Sequence, residues 1–232
     1  MPSKKNYKPP ENSKGDIAHK VVRSGLAAIP FIGGSAVELF TSLIIPPIEK
    51  RRIEWMEMVG KSLKKLEEKN YVTISELRED NNFIDTVLQA SQVALRTSQK
   101  DKINALKNAI LNSCLPEAPD KSKQHLFIDL IDTFTEWHIR ILKLFDNPRD
   151  WFTNNNVQWP NLYMGGLSSI LELAYSEMKG NREFYDLIWK DLYNKGLVNT
   201  DSLHVTMSKH GLEQRRTNEM GLQFLKYIAS PL

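Results

Sequence analysis

The hydrophobic and polar positions of this chain repeat at helical intervals over most of its length. Apolar residues recur every three or four positions between Met56 and Leu66, and again between Ile103 and Ile110. No alternation typical of β-strands occurs before residue 200. The pattern predicts a mainly α protein whose N-terminal half is a bundle of about four or five helices.

The last hundred residues carry a different order of elements. Three amphipathic helices are predicted first, followed by a polar β-hairpin and a closing helix. The predicted helices cover residues 135–145, 167–179, 182–195 and 217–225, and the predicted hairpin has strands 203–207 and 212–216 with a turn at 208–211. This order is typical of a winged helix, in which the third helix is the recognition helix.

The predicted winged-helix-like domain should have one small core. Helical spacing predicts that seven apolar residues share this core: Leu187, Leu192, Leu197, Phe224 and Leu225 against Ile139 and Leu142. Pro116 and Pro119 indicate a boundary in front of this part of the chain. We therefore expect a disordered basic tail over residues 1–15, an α-helical domain over 16–119, and a connecting helix with the winged-helix-like domain over 120–232.

The basic excess of the chain is confined to its N-terminal end. Residues 1–24 hold six basic and two acidic side chains, whereas the remainder holds 25 basic and 26 acidic ones. Such a tail can keep a protein in solution, or it can contact nucleic acid or an anionic membrane. Composition favours the first of these roles.

Residues 25–48 form an apolar segment with Glu38 as its only charge. Its length matches the roughly 20 residues of a bilayer-spanning helix, but Gly33-Gly34 interrupts it and Pro46-Pro47 is predicted to end it. We expect a helical hairpin packed on the core. In the alternative, the chain is an effector that inserts this hairpin into a membrane. The side chains that would contact the membrane or a partner are Phe31, Phe40, Leu43 and Ile44.

The residues associated with catalysis do not assemble into a recognisable pattern. The five histidines are scattered, and the Gly-Gly pairs lack the Lys-Ser/Thr of a phosphate-binding loop. We therefore expect no catalytic residues, no metal site, no cofactor and no small-molecule substrate. The single cysteine, Cys114, is interpreted as a buried thiol and fits a reducing cytoplasm.

Candidate nucleic-acid contacts lie on the predicted third helix and on the hairpin. They are Arg182 and Lys190 on the helix, and Lys209, His210, Arg215 and Arg216 on the hairpin. Acidic residues on the predicted third helix balance its positive charge, so the sequence is compatible both with DNA binding and with protein–protein interaction. A protein partner or a second copy of the chain is the expected partner, and DNA and a membrane are alternatives.

Several short motifs resemble those of known bacterial proteins. The N-terminal motifs are Pro30-Phe31-Ile32-Gly33-Gly34, Glu38-Leu39-Phe40, Pro46-Pro47-Ile48-Glu49-Lys50-Arg51-Arg52 and Trp55, and they resemble a group of uncharacterised bacterial proteins with a P-F-x-G-G, E-L-F, P-P-x-x-K-R-R pattern. Residues 103–111, 134–142 and 217–221 are loosely similar to the abortive-infection alpha family. This resemblance implies a non-enzymatic role in bacterial defence against phage and brings no catalytic residues.

Overall fold

A computed structural model describes residues 34–232, with side chains from residue 37 onward. The described part is mainly helical, as the sequence predicts, with one small two-stranded antiparallel sheet. The predictions for residues 1–33, including the basic tail and Phe31, lie outside the described residues. The helices are α1 (Gly34–Glu68), α2 (Ile74–Leu77), α3 (Asn81–Arg96), α4 (Lys100–Ser113), α5 (Lys121–Thr133), α6 (Glu136–Asp146), α7 (Pro148–Asn154), α8 (Leu167–Ala174), α9 (Arg182–Asn194), α10 (Lys209–Glu213) and α11 (Glu219–Ile228). The strands are β1 (Met164–Gly165) and β2 (Met207–Ser208), and a 3-10 turn covers Ser176–Met178.

Helix α1 corrects the prediction that Pro46-Pro47 ends the apolar segment. The helix continues through both prolines to Glu68. A proline inside a helix removes one backbone donor and crowds an earlier carbonyl, at a cost of about 3 kcal/mol. The pyrrolidine ring nevertheless fixes φ near the helical value, so the helix can continue through a proline. The backbone contacts divide the chain into two units, residues 1–49 and 50–232, and the boundary between them lies within this helix.

The unit 50–232 contains a helical bundle centred on α4. Leu106, Ile110 and Leu111 of α4 are fully buried. The Asn108 side-chain amide donates a hydrogen bond to the Ile228 carbonyl at the end of α11 (2.9 Å). Helix α4 therefore packs against α11, near the C-terminal end of the chain, as well as against its neighbours α3 and α5. The boundary predicted between residues 119 and 120 lies inside this unit.

A second group of buried side chains joins α6, α9 and α11. The rings of Phe145 and Trp189 meet edge to face with centroids 5.1 Å apart. The Trp189 indole donates a hydrogen bond to the Thr200 carbonyl (3.0 Å), which ties the loop after α9 to the helix. Of the seven residues predicted to form this core, five are buried: Leu192, Leu197, Phe224, Ile139 and Leu142.

The other two predictions for this core need correction. Leu225 is only partly buried, and Leu187 is 69% exposed. The buried stripe of α9 consists of Tyr185, Ile188, Trp189 and Leu192, at the i, i+3, i+4, i+7 spacing of one helix face. Leu187 lies on the opposite side of the helix, because 3.6 residues per turn place it about 150° from the centre of this stripe.

The predicted hairpin over residues 203–216 is also wrong. Lys209–Glu213 form helix α10, and Ser208 caps it by accepting a hydrogen bond from the Gly211 backbone N–H (3.3 Å). Leu212 on this helix is 1% exposed, so its burial stabilises the helical turn. Strand β2 pairs with β1 and not with residues 212–216. The residues directly after α9 pair instead with residues 216–218, through the antiparallel bridge between Val198 and Thr217 and through backbone hydrogen bonds from the Asn199 N–H to the Arg216 carbonyl (2.8 Å) and from the Asn218 N–H to the Leu197 carbonyl (3.1 Å).

Candidate interaction surface

The outward side of α9 presents apolar side chains to solvent. Leu187 is 69% exposed and lies opposite the buried stripe, whereas Phe184 is 41% exposed and lies at the edge of the stripe, one turn before Ile188. Glu183 and Lys190 flank them, and both are exposed. We call these four residues the α9 outer face. Its position follows from the sequence, because the buried stripe leaves the remaining positions of the helix to solvent.

Most other charged residues of α9 are bound within the chain. Asp186 accepts a hydrogen bond from His204 Nε2 (2.7 Å) and forms an ion pair with Arg182 (3.3 Å). Asp191 lies 3.3 Å from His138 Nε2 on α6. The pKa of His138 is below its usual value because loss of hydration on burial outweighs the effect of the Asp191 carboxylate.

Glu183 and Lys190 differ from these neighbours. Neither side chain has a hydrogen bond or an ion pair to another residue that the structure describes, although the Lys190 ammonium lies 5.2 Å from the centroid of the Tyr193 ring. Their charges are therefore available to a partner.

The predicted nucleic-acid residues do not form one basic surface. Arg216 is partly buried, donates hydrogen bonds to the Gly211 carbonyl and to Met207 Sδ (3.0 Å), and has a pKa lowered by burial. Arg215 binds the backbone and side-chain oxygens of Asp146, at 3.1 and 3.2 Å. Arg182 is paired with Asp186, as described above. Lys209 and His210 are exposed, and their side chains have no hydrogen bond or ion pair with any other described residue.

The predicted membrane or partner contacts lie on α1. Phe40 is 44% exposed and Leu43 is 61% exposed, whereas Ile44 is half-buried. The expectation that the apolar segment 25–48 packs on the core is therefore wrong for Phe40 and Leu43. Among residues 34–232, no helix combines the length and apolar character needed to cross a membrane.

Reactive side chains are few in the described part of the chain. It holds no group of three or more His, Cys, Asp or Glu residues able to bind a metal ion. Burial raises the pKa of the half-buried Cys114 thiol to about 11, so the thiol stays protonated at neutral pH.

A groove of about 830 Å³ runs beside the end of α11, and Glu117 and Lys226, which form an ion pair, are among the residues that line it. Neither a histidine nor a cysteine lines that groove.

Of the four residues of the α9 outer face, Lys190 is a site residue predicted from the sequence, whereas Glu183, Phe184 and Leu187 are not. A helical pattern that places Tyr185 and Trp189 of α9 in the core would have predicted that the other three residues are exposed.

Comparison of the chain with protein-family models, with curated proteins and with solved structures finds no match.

Proposed function

We propose that this protein is a non-enzymatic interaction component that binds another protein through the α9 outer face. The observation that carries the proposal is the 69% exposure of Leu187 in the middle of a helix whose other side is buried. Exposed apolar side chains surrounded by polar ones are typical of the anchors of protein interfaces. Leu187 and Phe184 would be the anchors, and Glu183 and Lys190 would form the polar rim.

The composition of the α9 outer face favours protein over DNA as the partner. A helix that reads the major groove presents Arg, Lys, Asn or Gln to the base edges. The α9 outer face instead presents one leucine, one phenylalanine, one acid and one base. DNA affinity depends on cations that neutralise phosphates, and both Arg215 and Arg216 are bound within the chain.

We also propose that residues 120–232 include a winged-helix-like arrangement used for protein contacts. The order α6, α8, α9 supports it, together with the bridge between Val198 and Thr217 that closes the segment after α9. Winged helices serve in protein interaction as well as in DNA binding, so this fold is compatible with the proposed role. The resemblance to the abortive-infection alpha family suggests phage defence as the setting of this interaction.

A photo-crosslinking amino acid at position 187 tests the proposal. Introduced in cells that express the full chain, it should form protein crosslinks because Leu187 lies at the proposed contact. The matched control is position 88, since Leu88 on α3 is also a highly exposed leucine (57%). Crosslinked species are measured by gel mobility and mass spectrometry. Leu187→Glu should weaken the affinity of the purified protein for the crosslinked partner at least tenfold, which corresponds to about 1.4 kcal/mol.

Two results would contradict the proposal. One is an equal yield of crosslinks at positions 187 and 88. The other is binding of duplex DNA at low salt that weakens steeply with added salt and is lost when Lys209 and His210 are replaced by Glu. The second result would favour the DNA-binding interpretation.

A specific observation also supports a second candidate function, contact of α1 with a membrane. Leu39 and Leu43 are each 61% exposed, and Phe40 is 44% exposed. In a helix, positions 39, 40 and 43 lie on one side because they are one, three and four residues apart. Exposed apolar side chains on one side of a helix can enter the interface of a lipid bilayer.

Replacing Leu43 by Asp separates this candidate from a purely structural role. Because the side chain is exposed, the variant should keep its helical content and its unfolding midpoint, measured by circular dichroism. If α1 contacts membranes, the wild type releases dye from anionic vesicles and Leu43→Asp reduces the release severalfold. Absence of dye release from the wild type would contradict the second candidate.

A further inference from the structure

We propose that the partner of the α9 outer face is a second copy of this chain, packed through α9 in an antiparallel, two-fold symmetric pair. This inference rests on the proposed function and names its partner. It is carried by the spacing of two charges around the exposed Leu187, those of Glu183 and Lys190, neither of which has an ion-pair partner among residues 37–232.

The two charges lie on one line along the helix. Lys190 is seven positions after Glu183, so the two side chains point about 20° apart and are about 10 Å apart along the axis. Leu187 lies between them, four residues after the acid and three before the base. The midpoint of the two charges therefore falls beside Leu187, within about one residue along the helix.

A two-fold axis through this midpoint pairs each charge with its opposite. When a second α9 runs antiparallel across the first, Glu183 of each copy lies beside Lys190 of the other. Leu187 then contacts Leu187 of the second copy at the centre, with Phe184 beside it. This is the self-complementary pattern that a two-fold interface requires. A parallel pair would place like charges together, which is unfavourable.

The neighbouring charged side chains are held by contacts within the chain. Arg182 and Asp186 form an ion pair with each other, and Asp191 is bound to His138. Glu183 has no partner in the described part of the chain, and Lys190 contacts only the ring of Tyr193. The attraction between the two copies thus depends on Glu183 and Lys190, and the apolar contact depends on Leu187 and Phe184.

Charge reversal tests this geometry in the full-length protein. Glu183→Lys places Lys opposite Lys190 at both ends of the pair, and Lys190→Glu places Glu opposite Glu183. At low salt, each variant alone should have a dimer dissociation constant about tenfold or more above that of the wild type. An equimolar mixture of the two variants should restore the dimer, because opposite charges then face each other at both ends. Sedimentation equilibrium over a concentration series measures each constant.

Glu219→Lys is the matched control. Glu219 and Glu183 are both exposed acids in the first turn of a helix, on α11 and α9 respectively, so each substitution places a positive charge at a helix N-terminus. Glu219→Lys also removes the hydrogen bond that Gln223 donates to Glu219 (2.9 Å). Circular dichroism checks that all three variants are folded. The control should leave the wild-type dissociation constant unchanged.

The possible outcomes decide the inference. A wild type that stays monomeric throughout the series overturns it, as does a dimer that neither variant weakens or that the mixture does not restore. If the wild type is monomeric while position 187 still crosslinks to a different protein, this inference fails and the proposed function stands. If neither self-association nor crosslinking occurs, both fail.

Discussion

Replacing Gly221 by Ala is expected to lower the free energy of unfolding by at least about 2 kcal/mol. A Cβ at this position would lie 2.2 Å from the backbone carbonyl oxygen of Leu197. That carbonyl is held in place because it accepts a hydrogen bond from the Asn218 N–H (3.1 Å), and the next residue, Val198, bridges to Thr217. The added methyl group must therefore displace backbone, and the start of α11 would separate from the residues after α9.

Gly60 in α1 is the matched control for this substitution. It lies inside a helix, and a Cβ there would meet nothing within 4 Å. Gly60→Ala should stabilise the protein by up to about 1 kcal/mol, because alanine favours the helix over glycine. Urea unfolding followed by circular dichroism compares the two variants. A Gly221→Ala protein as stable as the wild type would contradict the close approach of α11 to Leu197.

The sequence predicted most helices of the second half correctly, and the reason is local. Helix α9 begins at Arg182 and ends at Asn194, within one residue of the predicted range. Helix α5 begins after Asp120, whose carboxylate caps it by accepting a hydrogen bond from the Lys123 N–H (3.1 Å). Helical periodicity and capping depend on residues a few positions apart, so a sequence displays them directly.

The features that the sequence did not predict depend on distant residues. The basic spacing of Arg215 and Arg216 resembles a DNA-binding wing, but Asp146 and Gly211 bind these side chains within the fold. Residues 209–213 were expected to be mainly turn, and the burial of Leu212 stabilises them as a helix. The exposure of Leu187 reflects which side of α9 meets Phe145 and the rest of the core. Tertiary packing decides each of these outcomes, so local patterns alone leave them open.

Leu192→Ala is the second substitution with a large expected effect. Leu192 is fully buried on the inner side of α9, in the same core as Trp189, Leu197 and Phe224. Truncation to alanine removes three buried carbon atoms and leaves a cavity that the surrounding rings fill only in part. We expect a loss of about 2–5 kcal/mol in the free energy of unfolding, measured by urea unfolding monitored by circular dichroism.

Leu187→Ala is the control that tests the orientation of α9. The two leucines are on the same helix and undergo the same chemical change, but Leu187 is 69% exposed. Its replacement should change the free energy of unfolding by less than about 0.5 kcal/mol. A large loss for Leu187→Ala with a small one for Leu192→Ala would mean that α9 is rotated by about half a turn. The α9 outer face would then be buried, and both the proposed protein contact and the two-fold pair would lose their basis.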